Sequence, residues 1–357
     1  MNARPILLGI TGNIASGKSA VRQYLENEGA LTIDADLLAQ STYFPGGPAY
    51  QPILDTFGDD LCFGDGQINR SRLGRIVFAD PAAMQKLEAI IHPLVTEQIL
   101  AITARAEVGL VVVEAIKLFE AGIHEKCDAV WTVAADENVR KERLINTRGL
   151  TEDDAMRRIR SQSPEEEKIR RSDYVIYTDK DFRSTYEQTM QGLAALNPDL
   201  PEEVVSFTGE VYRPLRPMDF DSSSVLLSRV FSREQTEDDL FRSLSRQTIS
   251  AGFHENEITT LAFWKTELFL SLIQNIIPYG PKSEEAKRTL EVLAIIAHAH
   301  LCEALYISRE LIHPAAAKSL GYLPGDYFPP ELNPYAVTNF LRKYGLMPEE
   351  VFVKPDL

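Results

Sequence analysis

Gly12-Asn13-Ile14-Ala15-Ser16-Gly17-Lys18-Ser19 is the stretch on which the fold turns. It fits G-x-x-x-x-G-K-[ST], follows an apolar run at Ile6–Ile10 and opens a helical pattern from Lys18. Strand, glycine-bearing loop and helix in that order make a phosphate cradle. The glycines let the backbone wrap an anion with its N–H groups turned inward, and the following helix aims its positive end at the same point. Gly12 through Ser19, with Ala20 behind them, are the expected nucleotide site. Lys18 is placed to bridge the β- and γ-phosphates of ATP, and Ser19 to offer its hydroxyl to Mg²⁺.

Working outward, short apolar runs at Ala30–Ile33, Leu110–Val113, Ala129–Val133 and Tyr174–Tyr177 alternate with helical patterns. That alternation predicts an α/β fold with a parallel sheet covered by helices. The segment from Leu37 to Ala106 carries no strong strand but several helix starts, among them Asp80-Pro81 before an amphipathic stretch to about Arg105. It reads as a helical insertion suited to holding a second substrate.

Ile33-Asp34-Ala35-Asp36 ends the second strand, at the edge where open α/β sheets bind ligands. Asp36 is expected to handle the acceptor hydroxyl and Asp34 to cap the next helix. Glu114, closing the strand Leu110–Val113, is expected to hold a metal-bound water. Arg140, Lys141, Arg143, Arg148, Arg157, Arg158 and Arg160 form a cationic cluster. Arg143 and Arg148 are the two expected to close over the triphosphate, and the others to lie on a solvated helix face.

The chain has 357 residues, which suggests two domains, and a net charge of −15, which disfavours a nucleic-acid partner. Cys62, Cys127 and Cys302 lack both disulfide and metal-ligand spacing. With no apparent signal peptide or membrane-spanning run, the expected location is the cytoplasm, away from membranes. Asn197-Pro198-Asp199-Leu200-Pro201-Glu202-Glu203 marks the expected boundary between a domain over 1–196 and a smaller mixed α/β domain over 204–357. In the second part the patterns predict a strand near Val204–Phe207 and helices near Asp221–Phe231, Thr236–Gln247 and Ser283–Ile307. His298, His300 and His313 read as ordinary histidines.

A phosphate cradle serves many proteins, so the residues leave three readings open: a small-molecule kinase, a nucleoside or nucleotide kinase, and a nucleotide-gated regulatory protein without phosphoryl transfer. From Ile6 to about Asp181 the chain resembles the dephospho-CoA kinase family. The resemblance is carried by Gly12–Ser19, Ile33–Asp36, Pro45–Tyr50, Asp65–Arg70, Ile76–Pro81, Ile91-His92-Pro93, Leu118-Phe119-Glu120 and the segment from Arg158 through Gln162 to Asp173. It implies a P-loop kinase fold, Asp36 as catalytic base, and His92 with the helical insertion as part of the dephospho-CoA site. It further implies transfer of a phosphoryl group from ATP to the ribose 3′-hydroxyl, the last step of coenzyme A biosynthesis. Lys117, in Glu114-Ala115-Ile116-Lys117-Leu118-Phe119-Glu120, departs from the family pattern and adds a cation facing either a substrate phosphate or solvent. Thr147-Arg148-Gly149-Leu150 shifts the lid arginine by one residue, and Thr178 replaces the customary asparagine near the adenine site.

Beyond Phe207, Glu210–Asp219 resembles the opening strand and turn of GNAT acyltransferases, and Ala316–Tyr322 their late helix and turn. The acetyl-CoA pyrophosphate loop of that family is missing at Pro278–Lys282, so acetyl transfer is not expected. The two parts are expected to be separable, with contact between them affecting catalysis only indirectly.

Overall fold

A computed structural model describes residues 4–355 except 199, 201–204, 208–209, 232–234, 255–256, 268–269, 278–283, 300, 303, 313 and 326–332. The first sheet contains β1 (Ile6–Thr11), β2 (Leu31–Asp34), β3 (Leu110–Glu114), β4 (Ala129–Ala134) and β5 (Tyr174–Tyr177). All neighbours run parallel in the order β2-β3-β1-β4-β5. Every residue of β3 and β4 is buried because helices cover both faces, which is why these strands read as unbroken apolar runs. β1 lies at the centre, and its carboxyl end delivers the chain into the phosphate loop and α1 (Lys18–Asn27).

The helical insertion follows β2: α2 (Ala35–Thr42), α3 (Tyr50–Phe57), α4 (Arg70–Ala79) and α5 (Pro81–Arg105). Asp34 caps α2 by accepting from the backbone N–H groups of Asp36 and Leu37, both at 3.0 Å. Asp80 caps α5, with Pro81 in the first turn as expected. By length and composition α5 is apolar enough to cross a bilayer, although no such run stood out in the sequence. In the fold its Val95, Ile99 and Ile102 pack instead on the sheet beside Val111 and Val113. After β4 come α6 (Glu137–Arg148), α7 (Glu152–Arg160) and α8 (Glu165–Arg170), and after β5 comes α9 (Phe182–Leu196).

The second part holds β6 (Val205–Phe207), β7 (Glu210–Pro214), α10 (Phe220–Phe231), α11 (Glu237–Leu244), β8 (Thr248–His254), β9 (Glu257–Glu267) and β10 (Leu270–Ile277). α12 (Glu284–Ala299), β11 (Ala304–Ser308), α13 (Pro314–Ser319), β12 (Leu323–Pro324), α14 (Pro334–Lys343) and β13 (Val351–Pro355) complete it. Its sheet runs β12-β13-β11-β10-β9-β8-β7-β6, antiparallel except for the pair β10–β11, which α12 connects as a crossover. The sheet is mixed, as expected for the second part, and begins with the antiparallel pair β6–β7. The expected helix Ser283–Ile307 is in fact a helix and a strand: α12 stops at Ala299 and β11 follows. The Pro278–Lys282 reading, His300 and His313 lie outside the described residues.

The two parts share α1, which has three faces. Lys18, Ser19 and Arg22 face the phosphate loop and Glu114, while Val21 and Leu25 join the core of the first sheet. Gln23, Tyr24 and Asn27, at helical spacing, turn to the second part. Tyr24 is fully buried in a core with Leu215, Leu240, Leu244, Ile249 and Phe263.

Candidate active site

The phosphate loop is locked from several sides. Gly12 must be glycine, since a Cβ there would lie 2.2 Å from the Val133 carbonyl oxygen. Gly17 sits in the left-handed region at φ 95 and caps α1 with no side chain in the way. Ile14 N–H donates to Gln162 Oε1 at 2.7 Å, and Asn13 Nδ2 donates to the Ser163 carbonyl at 3.1 Å. Thr178 Oγ1 donates to the Ser16 carbonyl at 2.6 Å. Arg143 donates to the Ala15 carbonyl at 3.1 Å and to Thr178 Oγ1 at 2.9 Å. Arg143, expected over the triphosphate, therefore braces the loop together with Thr178.

Inside the loop Lys18 is only 6% exposed, and its Nζ donates to the Asn13 carbonyl at 3.2 Å. Burial lowers its pKa, a cost that an anion in the cradle would offset. Asn13 Oδ1 and Ser16 Oγ are buried without partners, so the cradle holds polar capacity beyond its own hydrogen bonds. Ser19 Oγ donates to Glu114 Oε1 at 3.1 Å, bringing together the two residues read as metal-binding. Glu114 Oε2 also accepts from Arg22 Nε at 2.9 Å. A hydroxyl and a carboxylate are the oxygen donors that a divalent cation takes. Among the described residues no group of three or more acidic, histidine or cysteine side chains could hold a metal alone, so phosphate oxygens would have to complete its coordination.

Asp36 follows its capping neighbour Asp34 and is exposed toward the adjoining pocket, which it lines. Desolvation, and then the Asp34 charge, push its pKa from 3.8 to about 6, with Lys18 pulling the other way. A carboxylate poised there can accept a proton near neutral pH. The pocket beyond it encloses about 1470 Å³ and is lined by Asp36, Arg70, Phe78, His92, Lys117 and Arg158 among others. Lys117 Nζ pairs with Glu88 Oε1 at 2.6 Å, so this cation belongs to the pocket wall. Partial burial lowers the pKa of His92 and favours its neutral form.

The rest of the cationic cluster divides. Arg140 is buried and donates to the Ala135 carbonyl, Lys141 pairs with Glu152, and Arg157 pairs with Asp154. Arg148 is exposed at the end of α6, near enough for its charge to act on Lys18. Arg158, read as a surface residue, lines the pocket. Reasoning from residue types also missed Arg70, Gln162 and Lys168. All three stand inside segments that carried the family resemblance, which was the available signal. Lys168 is 3% exposed and donates to the Ile116 carbonyl at 2.9 Å.

A parallel sheet with a phosphate loop at the end of its central strand, and beside it a carboxylate that opens onto a substrate-sized pocket, defines a P-loop kinase. The dephospho-CoA kinase family model matches residues 6–183. The dephospho-CoA kinase of Carboxydothermus hydrogenoformans is 38% identical over 187 residues, covering 52% of this chain and 91% of that one. The Geobacter metallireducens enzyme of the same name is 40% identical over 194 residues, covering 54% and 94%. The crystal structure of TT1252 from Thermus thermophilus, 32% identical, superposes with a TM-score of 0.50 over 55% of this chain and 99% of that one. The chain belongs to the dephospho-CoA kinase family.

Proposed function

We propose that this chain phosphorylates the ribose 3′-hydroxyl of dephospho-CoA with ATP, giving coenzyme A and ADP. The placement of Asp36 carries the reading: a carboxylate in the first turn of α2, just past β2 and poised near neutrality, opens onto the pocket that adjoins the cradle of Lys18 and Ser19. Asp36 accepts the hydroxyl proton as the oxygen attacks the γ-phosphorus in line, and Lys18 with Arg148 stabilises charge on the transferring group. Ser19, with Glu114 behind it, would hold Mg²⁺, which neutralises phosphate charge when bound. His92, Lys117 and the insertion hold the acceptor. Residues 1–196 form the kinase domain and 204–357 a second domain docked on it.

A nucleoside kinase and a nucleotide-gated regulator are the rival readings. A coupled ADP-release assay separates all three: rapid turnover with dephospho-CoA supports the proposal, turnover with nucleosides alone favours the first rival, and no turnover favours the second.

A further inference from the structure

The pocket that opens from Asp36 is not made by the kinase lobe alone. Leu270 at the start of β10 and Ala336, Asn339, Phe340 and Lys343 of α14 also line it. The four helical positions fall at i, i+3, i+4 and i+7, one face of α14. A second face, Val337 and Leu341, is buried in the core of the second sheet, with Phe340 packed at the edge between the two. The helix is also tied to the insertion. Asn333, which caps α14 by accepting from the Tyr335 and Ala336 N–H groups, donates through Nδ2 to the Pro45 carbonyl at 3.2 Å. Tyr335 OH donates to the Asp65 carbonyl at 3.1 Å. The helix is thereby fixed against the rim of the pocket, presenting one amide and one cation to it.

We infer that α14 is a wall of the acceptor site and that Asn339 and Lys343 are specificity-determining residues for dephospho-CoA, holding the diphosphate and pantetheine arm that extends from the ribose. This rests on the acceptor reading proposed above. With the ribose hydroxyl at Asp36, the rest of the acceptor must run along the pocket, and a diphosphate in a chain of net charge −15 requires local cations. Arg70, Lys117 and Arg158 supply them from the kinase lobe and Lys343 from the second part. The second part then acts directly on the acceptor, not only by docking.

The test uses the full chain and four proteins: wild type, Asn339→Ala, Lys343→Glu and, as a charge-matched control, Arg342→Glu, an exposed neighbour that does not line the pocket. Lys343→Glu should raise the KM for dephospho-CoA about tenfold or more, as expected when a phosphate contact becomes a repulsion. Asn339→Ala should raise it less, and Arg342→Glu should not, with the KM for ATP steady in all and melting temperatures alike. Equal effects of Lys343→Glu and Arg342→Glu, or no effect of Lys343→Glu, would overturn the inference while leaving kinase activity standing. A wild type that releases no ADP with dephospho-CoA sinks the acceptor reading itself and this inference with it.

Discussion

Tyr24 Oη donates to the carbonyl oxygen of Phe241 at 2.9 Å, joining the helix that bears Lys18 to the second part of the chain. On either side Gln23 Nε2 reaches Thr248 Oγ1 at 3.3 Å, and Asn27 Nδ2 donates to the Leu244 carbonyl at 2.8 Å. Tyr186 of α9 packs edge-on against Tyr24 and at a tilt against Phe241, with ring centroids 5.2 and 5.3 Å away. The catalytic helix is thus clamped from behind. Tyr24→Ala should destabilise the full chain by about 3–5 kcal/mol, the usual cost of deleting a buried aromatic. Tyr24→Phe should cost about 1–3 kcal/mol, because the Phe241 carbonyl loses its donor. Denaturant unfolding measures both.

The same clamp bears on the expectation that the two parts are separable, with contact between them acting on catalysis only indirectly. A fragment ending at Leu196 would expose Tyr24, Gln23 and Asn27 and lose the α14 wall of the pocket. It should melt lower than the full chain and show a raised KM for dephospho-CoA. Matched melting curves and matched KM values would restore the earlier expectation.

Lys18→Ala should lower turnover roughly 10²-fold or more, by removing a charge aimed at the transferring group. It should not lower the melting temperature, since the lysine is a buried cation whose desolvation already weighs against its charged form. Steady-state kinetics and a melting curve on one preparation check both halves.

The pH dependence follows from Asp36. Only its ionised form can take the hydroxyl proton, so kcat/KM for the acceptor should fall as pH drops through about 6, and Asp36→Asn should remove that limb together with most of the activity. Stability moves in the opposite sense. With the folded-state pKa raised above 3.8, the native state binds this proton more tightly than the unfolded chain, so this group's contribution declines as pH rises from about 4 to 6. Asp36→Asn should flatten that slope in denaturant titrations.

Gln162→Leu should raise the KM for ATP about tenfold with a smaller change in kcat, because Ile14 N–H loses its acceptor and the cradle loosens while Lys18 and Asp36 stay in place. An equal loss in kcat with an unchanged KM for ATP would place Gln162 in the chemistry instead.

The kinase half was legible because its signals are local. Buried parallel strands are continuous apolar runs, the cradle is one contiguous motif, and Asp80-Pro81 announces a helix start. Bracing of the loop was not legible, because Arg143 in α6 and Thr178 just past β5, 35 residues apart, meet only in the folded chain. The second half was harder for a different reason. α12 gives way to β11 through Leu301, which takes φ 55 with no glycine or proline to announce the break, so helix and strand read as one apolar segment. β8, β9 and β10 escaped although they pair as consecutive neighbours, His254 with Glu257 and Leu270 with Glu267, because the residues between them, Glu255-Asn256 and Leu268-Phe269, include no glycine or proline to announce a reversal. The contribution of α14 to the acceptor pocket is likewise tertiary: nothing in Asn339 or Lys343 as sequence points toward Asp36.

The most direct measurement is the identity of the product. Incubate the full chain with ATP, Mg²⁺ and dephospho-CoA, and follow the reaction by phosphorus NMR and mass spectrometry. The account predicts one new phosphate monoester on the ribose 3′-oxygen for each ADP formed. ADP without a phosphorylated acceptor, or a phosphate at any other position, would contradict it.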